Sequence, residues 1–251
     1  MLSVEGLSKS FGGVAAIRDV TLEFMKGSLT AIIGPNGAGK TTFFNLISGA
    51  HLPDDGRVLL DGEDIVGLSR TEIVRRGIAR AFQVASIFPS LTVEDTLLAA
   101  VQAHRRQAGR IAHRFPLSEC RSGAFEVMEM LGLTDKADTL SASLSHGDQK
   151  LLDIALALVL KPRVLLLDEP TAGMGPEERW QMIEKVHRLW EREKITLVFI
   201  EHDMDIVFKV ANSIRVLCYG RVLAQGTPAE IRGHPEVIAA YLGTSDEAVE
   251  P

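Results

Sequence analysis

Cysteine is nearly missing from this 251-residue chain; Cys120 and Cys218 are its only two. They stand far apart and lack metal-ligand spacing, which argues against a disulfide framework or a thiolate metal site. A reduced, cytosolic setting fits best, with both side chains expected as buried thiols. Excess positive charge is missing too. Lysine and arginine number 27 against 33 acids, a net charge of -6. A general nucleic-acid binder would need a basic face, so that class is disfavoured. A long apolar run is the third absence. The most apolar stretch, "LLDIALALVLKPRVLLL" (151–167), contains Asp153 and is cut by Lys161-Pro162-Arg163. Each half is too short to span a bilayer, so a buried helix, a break and a buried strand are expected. Glu5 and Lys9 interrupt the start, and no secretory segment is expected there.

What is present is a 46% hydrophobic composition, enough for one large α/β domain or a core with a smaller subdomain. Short β-type runs, "LSVEGL", "VTLEFM" and "LTAII", alternate with glycine turns at Gly12-Gly13 and Gly27. "GRVLLDGEDI" (56–65) predicts another strand and an Asp-Gly turn. "TVEDTLLAAVQAHRR" (92–106) predicts a helix opened by a capping box of Thr92 and Asp95. "SGAFEVMEMLGL" (122–133) predicts a second, stopped at Gly132. Then follow a helix at "DIALALVL", a strand at "RVLLLDEP" and a helix at "PEERWQMIEKVHRLWEREK", with Pro176 in its first turn. Trp180, Ile183, Val186 and Leu189 form one face of that helix and are expected to pack in the core. "ITLVFIE" (195–201) and "SIRVLCYG" (213–220) are further strands. Alternating strands and helices predict a mainly parallel sheet, and residues 86–140 an inserted helical block.

Residues 34–41, Gly-Pro-Asn-Gly-Ala-Gly-Lys-Thr, fit G-x-x-x-x-G-K-[ST] between a strand and a helix. A chance match is expected roughly once in a hundred such chains. Its glycines let the backbone approach an anion and aim successive N–H groups at it. The helix that follows adds its positive dipole end. Lys40 would place a cation on the β- and γ-phosphates, and the Thr41 hydroxyl could ligate Mg²⁺. "VLLLDEP" ends an apolar strand in Asp168-Glu169. Asp168 at a strand tip can hold the Mg²⁺ shell, and Glu169 can polarise a water aimed at the γ-phosphate. "LSHGDQ" (144–149) opens a helix with Ser145 as N-cap and Gly147 baring backbone N–H groups, a second anion-binding terminus.

In this order and spacing the three elements resemble the nucleotide-binding subunits of ABC (ATP-binding cassette) transporters, over nearly the whole chain. The resemblance implies an α/β fold: a P-loop NTPase (RecA-like) core with an antiparallel β subdomain, from residues 1–85 and 141–251, and an inserted helical subdomain, 86–140. It implies ATP and Mg²⁺ as ligands. Gly34, Pro35, Asn36, Gly37, Ala38, Gly39, Lys40, Thr41 and Thr42 would hold the phosphates, with Ser145 and Gly147 on the far side. Phe11 in "KSFGG" matches the aromatic that stacks on adenine, though an ordinary core phenylalanine is the alternative. Gln83 in "ARAFQ" matches the glutamine that approaches Mg²⁺ and the membrane partner. His202 in "VFIEHDM" matches the histidine that contacts the γ-phosphate. Catalysis would then rest on Glu169, His202 and Gln83.

Two departures stand out. The family's LSGGQ carries His146 and Asp148 here, and Asp148 puts an acid near an expected phosphate unless it points away. Where the family reads S-A-L-D after "DEPT", this chain reads Ala172-Gly173-Met174-Gly175, without the final carboxylate.

"IFPSLTVEDTLLAA", "EHDMDIVF", "GTPAEI" and "VIAAYLG" most resemble the ATPases of branched-chain amino acid importers. Relatives serving urea or amide import, or lipopolysaccharide export, share much of this text. The resemblance implies transmembrane permease subunits as partners, a second ATP-binding subunit, identical or related, and indirectly a solute-binding protein, but no nucleic acid. The protein is expected at the cytoplasmic face of the membrane. The basic stretch at 103–114 is expected to be a solvated helix face and loop, or to lie near anionic lipid. A GTPase would show an Asn-Lys-x-Asp reader, and chromosomal or ribosomal relatives need coiled-coil arms or tandem cassettes; neither feature occurs.

Overall fold

Gly12-Gly13 turns the chain between two strands, β1 (Leu2–Phe11) and β2 (Val14–Phe24), paired antiparallel in a computed structural model that describes residues 1–81, 87–104 and 118–242. Of residues 118–120 and 242 only the backbone is described, so Gln83, residues 105–114, the Cys120 side chain and the tail from Thr244 lie outside this description. In β2, Ile17, Val20, Leu22 and Phe24 turn inward between exposed neighbours, the signature of a sheet with one wet face. After β3 (Leu29–Ile33) and α1 (Lys40–Ile47), β4 (Asp55–Leu60) and β5 (Glu63–Asp64) complete an antiparallel sheet of order β2-β1-β4-β5. The expected Asp-Gly turn, Asp61-Gly62, joins β4 to β5 with both residues at positive φ.

Next come α2 (Arg70–Arg76), β6 (Ile78–Ala81), α3 (Val93–His104), α4 (Ser118–Leu131) and α5 (His146–Leu158). Thr92 accepts the Asp95 N–H at 3.1 Å, the capping contact expected from the sequence. β7 (Val164–Asp168), α6 (Pro176–Glu193), β8 (Thr196–Ile200), α7 (Met204–Val210), β9 (Ser213–Cys218), β10 (Arg221–Gly226), α8 (Pro228–Arg232) and α9 (Pro235–Leu242) finish the chain. The second sheet has the order β10-β9-β3-β8-β7-β6 and is parallel throughout except for β10.

This sheet divides two cores. Leu165 and Leu167 of β7, with Leu197 and Phe199 of β8, face a core built with α3, α4, α5 and α6. Val164, Leu166, Val198 and Ile200 face the other, built with α1 and the antiparallel sheet. Burial on both faces explains why these strands read as unbroken apolar runs. Each fully buried Leu or Phe among them contributes about 2 kcal/mol.

Two expectations are corrected here. Ile183, Val186 and Leu189 are buried, but Met182 joins them in place of Trp180. Trp180, one turn earlier, is half-buried at the rim, with the Lys209 ammonium of α7 4.3 Å from its ring centre. Cys218 is a free thiol, half-buried rather than buried. No helix among the described residues is long and apolar enough to cross a membrane.

Candidate nucleotide site

Strands β3, β8 and β7 are neighbours and parallel, so the loops leaving their carboxyl ends emerge side by side, where open α/β sheets bind ligands. The loop after β3 is residues 34–39, and α1 begins at Lys40. Glu169 follows β7; Glu201 and His202 follow β8. They enclose a cavity of about 240 Å³ lined by loop residues 36–39, Lys40, Thr41 and Thr42 and, from the other two tips, Glu169 and His202.

The loop is braced from behind. At Gly34 a Cβ would lie 2.0 Å from the Leu217 carbonyl oxygen, so only glycine lets the chain pass β9 this closely. The Gly220 N–H donates to the Ala38 carbonyl at 3.1 Å, and the Gly220 carbonyl accepts from Arg18 N–H at 2.8 Å. Lys40 Nζ donates to the carbonyls of Gly34 and Pro35 at 2.7 and 2.9 Å. An ammonium has three donors, so this geometry keeps one for an anion. Burial lowers the Lys40 ammonium from its ordinary value, and the charges of Glu169 and Asp168 oppose that shift.

Tyr241 of α9 also meets this loop. Burial pushes its hydroxyl up to about 12, partly offset by a hydrogen bond with the Gly34 backbone. The fold thus favours the neutral phenol. Its stabilising contribution is complete below the ordinary tyrosine value near 10 and is lost as pH climbs from there through about 12. Tyr241→Phe is expected to flatten that alkaline loss; urea midpoints of both proteins at about pH 9 and 11 check it.

Asp168, 3% exposed, receives Arg80 Nη2 on Oδ2 at 2.6 Å. Its other oxygen, Oδ1, is buried without a hydrogen-bond partner among the described residues. An unsatisfied carboxylate oxygen suits a hard divalent cation, and the Thr41 hydroxyl lies at the neighbouring helix start, so these residues fit Mg²⁺. Glu169 Oε1 accepts from His202 Nε2 at 2.7 Å. Its backbone has φ +48, in the left-handed region a non-glycine residue seldom adopts; such conformations cost about 1–3 kcal/mol and cluster at functional sites.

Ser145 and Gly147 line a different pocket, with Met174, Glu178 and Lys185. Ser145 caps α5, its hydroxyl oxygen accepting the Asp148 N–H at 3.2 Å. Asp148 lines the same pocket; its Oδ2 accepts from the Ser145 hydroxyl at 2.7 Å and is charge-paired with Lys136 Nζ at 2.6 Å. Burial works to raise its carboxyl, yet the hydrogen bonds from Lys136 and Ser145 and the charges of Lys136 and Lys185 hold it below its ordinary value. Phe11 is no core residue: it is 45% exposed at the end of β1, edge-on to His51 at 5.5 Å.

Sequence reasoning missed Arg80 and Glu201. Arg80 ties Asp168 to α1 through Asn45 Oδ1 at 2.7 Å, and Glu201 accepts from both Thr171 N–H and Oγ1. The available signal was a charged residue inside or at the end of an apolar strand, which needs a buried partner.

Parallel sheet, phosphate loop, strand-tip carboxylates and capped α5 together define a P-loop ATPase of the cassette type. The chain belongs to the ABC transporter family: a family model so described matches residues 17–172, and one described as branched-chain amino acid ATP-binding cassette transporter matches residues 221–247. It is 39% identical over 250 residues to the high-affinity branched-chain amino acid transport ATP-binding protein LivG of Escherichia coli K12, covering 97% of this chain and 98% of LivG. It is 39% identical over 249 residues to BraF of Pseudomonas aeruginosa PAO1, with the same two coverages. Among solved structures, the ADP conformation of an ATP-binding cassette of an ABC transporter has a TM-score of 0.85 at 31% identity, covering 97% of this chain and 98% of that one. A dimeric cassette bound to ADP and phosphate after hydrolysis has a TM-score of 0.77 at 25% identity, covering 91% and 99%. The chain is an ATPase subunit of this family.

Proposed function

We propose that this chain powers import of branched-chain amino acids, as one of two cassettes docked on permease subunits at the cytoplasmic face of the membrane. The full-length likeness to LivG and BraF, extending through residues 221–247, carries the substrate class. Urea or amide import and lipopolysaccharide export gain no such support.

In the proposed site, loop residues 34–39, Lys40 and Thr42 bind the ATP phosphates, Phe11 stacks on adenine, and Thr41, Asp168 and Gln83 hold Mg²⁺. When bound, Mg²⁺ neutralises charge that develops on the phosphate oxygens. Glu169 orients and deprotonates the attacking water, and His202 holds Glu169 in place and reaches toward the γ-phosphate. Because Ser145 and Gly147 line a pocket apart from Lys40, a single chain does not grip one nucleotide from both sides. A head-to-tail pair does: each ATP sits between one copy's Lys40 and the other's Ser145 and Gly147. Binding then closes the pair, and loss of phosphate opens it.

Residues 86–140 act as the helical subdomain that passes this motion on. A groove of about 270 Å³ on the nucleotide-binding core, bounded by Arg70 and Val74 of α2, Ile78 of β6, Leu156 of α5 and Leu160 just after it, supports a permease seat there. One of its lining residues, Arg80, stands three positions before Gln83 in the sequence. The test is purification from membranes. The expected outcome is co-isolation of a permease whose presence raises ATP turnover, and transport of leucine, isoleucine or valine by the complex. Turnover that responds to nucleic acid and not to the permease overturns the reading; transport of another solute alone overturns the substrate class.

A further inference from the structure

Residues 169–174, leading from the proposed base to α6, are held by side chains from three other places in the fold. Glu201, 4% exposed at the end of β8, accepts the Thr171 N–H and hydroxyl on Oε1 at 3.0 and 2.6 Å. Its Oε2 accepts the His202 N–H at 3.1 Å. His146, the first residue of α5, meets the Ala172 carbonyl through Nε2 at 3.2 Å. A carbonyl only accepts, so the ring carries its proton on Nε2. Gly173 leaves room for that ring: it has φ +78, and a Cβ there would stand 3.1 Å from the same nitrogen. Arg179 of α6 donates to the Met174 carbonyl at 2.9 Å and reaches Asp203, next to His202, at 3.3 Å.

We propose that this loop is a strut joining the Ser145 end of α5 to the Glu169–His202 pair, with His146 and Glu201 as its positioning residues. The proposal rests on the reading that the start of α5 faces the nucleotide of a second copy. A contact at Ser145 then passes through His146, Ala172, Thr171 and Glu201 to His202 without a break. The two joints differ in strength. Glu201 makes buried hydrogen bonds to a charged acceptor, the stronger kind. His146 makes one exposed contact, so it is the joint that yields when α5 tilts. Little tilt is needed, since a misplacement of about 1 Å at reacting atoms costs about a hundredfold in rate. Gly175 supplies no side chain for this link, and His146 supplies one.

The test uses steady-state ATP turnover of the purified full-length protein. His146→Phe keeps the ring volume and removes the N–H; kcat is expected to fall about tenfold with KM within about twofold. His146→Gln, whose amide N–H can reach the same carbonyl, is expected to restore most of the loss. Glu201→Gln should lower kcat comparably, and the double variant no further than the worse single, because both cut one path. Thr171→Val, which removes only one of Glu201's bonds, replaces Glu201→Gln if that protein melts early. Unchanged kcat in His146→Phe, failure of glutamine to rescue it, or losses that multiply in the double variant overturn the strut. Sizing chromatography of Glu169→Gln with ATP separates the two readings. A dimer together with multiplying losses sinks the strut alone; a monomer sinks the paired-cassette reading and removes the strut's input.

Discussion

Glu169→Gln is expected to lower ATP hydrolysis by about a thousandfold, the middle of the range for loss of a general base. ATP affinity should barely change, because glutamine keeps the size of the side chain and adds no repulsion beside the phosphates. The left-handed backbone at φ +48 is as tolerable for glutamine as for glutamate, so the loop keeps its course. His202 Nε2, 2.7 Å from Oε1, can still donate to an amide oxygen, so the pair persists without its negative charge. What disappears is the basicity that draws a proton from water. With hydrolysis stopped, ATP should hold two copies together, and sizing chromatography should show a lasting dimer. Turnover within tenfold of the parent protein would falsify the general-base role, and a protein that stays monomeric with ATP removes the paired-cassette mechanism.

Lys40→Ala should act one step earlier. Hydrogen bonds to charged groups contribute about 1.5–3 kcal/mol each, so ATP affinity is expected to fall about ten- to a hundredfold. Two further effects add to this. Lys40 is 7% exposed, and loss of its ammonium leaves the Gly34 and Pro35 carbonyls without that donor, which loosens the loop itself. It also removes one of the positive charges that offset Asp168 and Glu169, leaving Arg80 on Asp168. Titration calorimetry with ATP, repeated with ADP, reads the loss. Equal affinity in the variant and the parent protein would take Lys40 out of the site.

The residues that write the nucleotide cleft into the sequence are those whose chemistry is local. The phosphate loop needs its glycines, its lysine and a helix start within eight residues, 34–41, and all are consecutive. Asp168-Glu169 is announced by the apolar strand before it, and Ser145 by the helix it caps at 3.2 Å. The braces were not legible, because their partners are remote. Arg80 meets Asp168 across 88 positions, Glu201 meets Thr171 across 30, and His146 meets Ala172 across 26. Short elements escaped too. α2 has seven residues, fewer than two turns' worth of periodicity, although Ser69 and Glu72 form its capping box. β6 has four residues, and Arg80 interrupts its apolar pattern. The Trp180 stripe failed for a geometric reason: at the fifth residue of α6 that face meets Lys209 of α7 and not the buried core.

The brace behind the phosphate loop bears on what counts as a movable part. Gly34 rests against Leu217, Ala38 is pinned by Gly220, and Tyr241 touches the loop from the last helix. The eight-residue signature therefore does not carry its own shape. A peptide cut from residues 29–48, or the same stretch grafted between a foreign strand and helix, would present the right letters on a slack backbone, with its amides no longer converging on one point. The hairpin of β9 and β10, more than 170 residues downstream of the loop, is as much a part of the phosphate cradle as the glycines that name it.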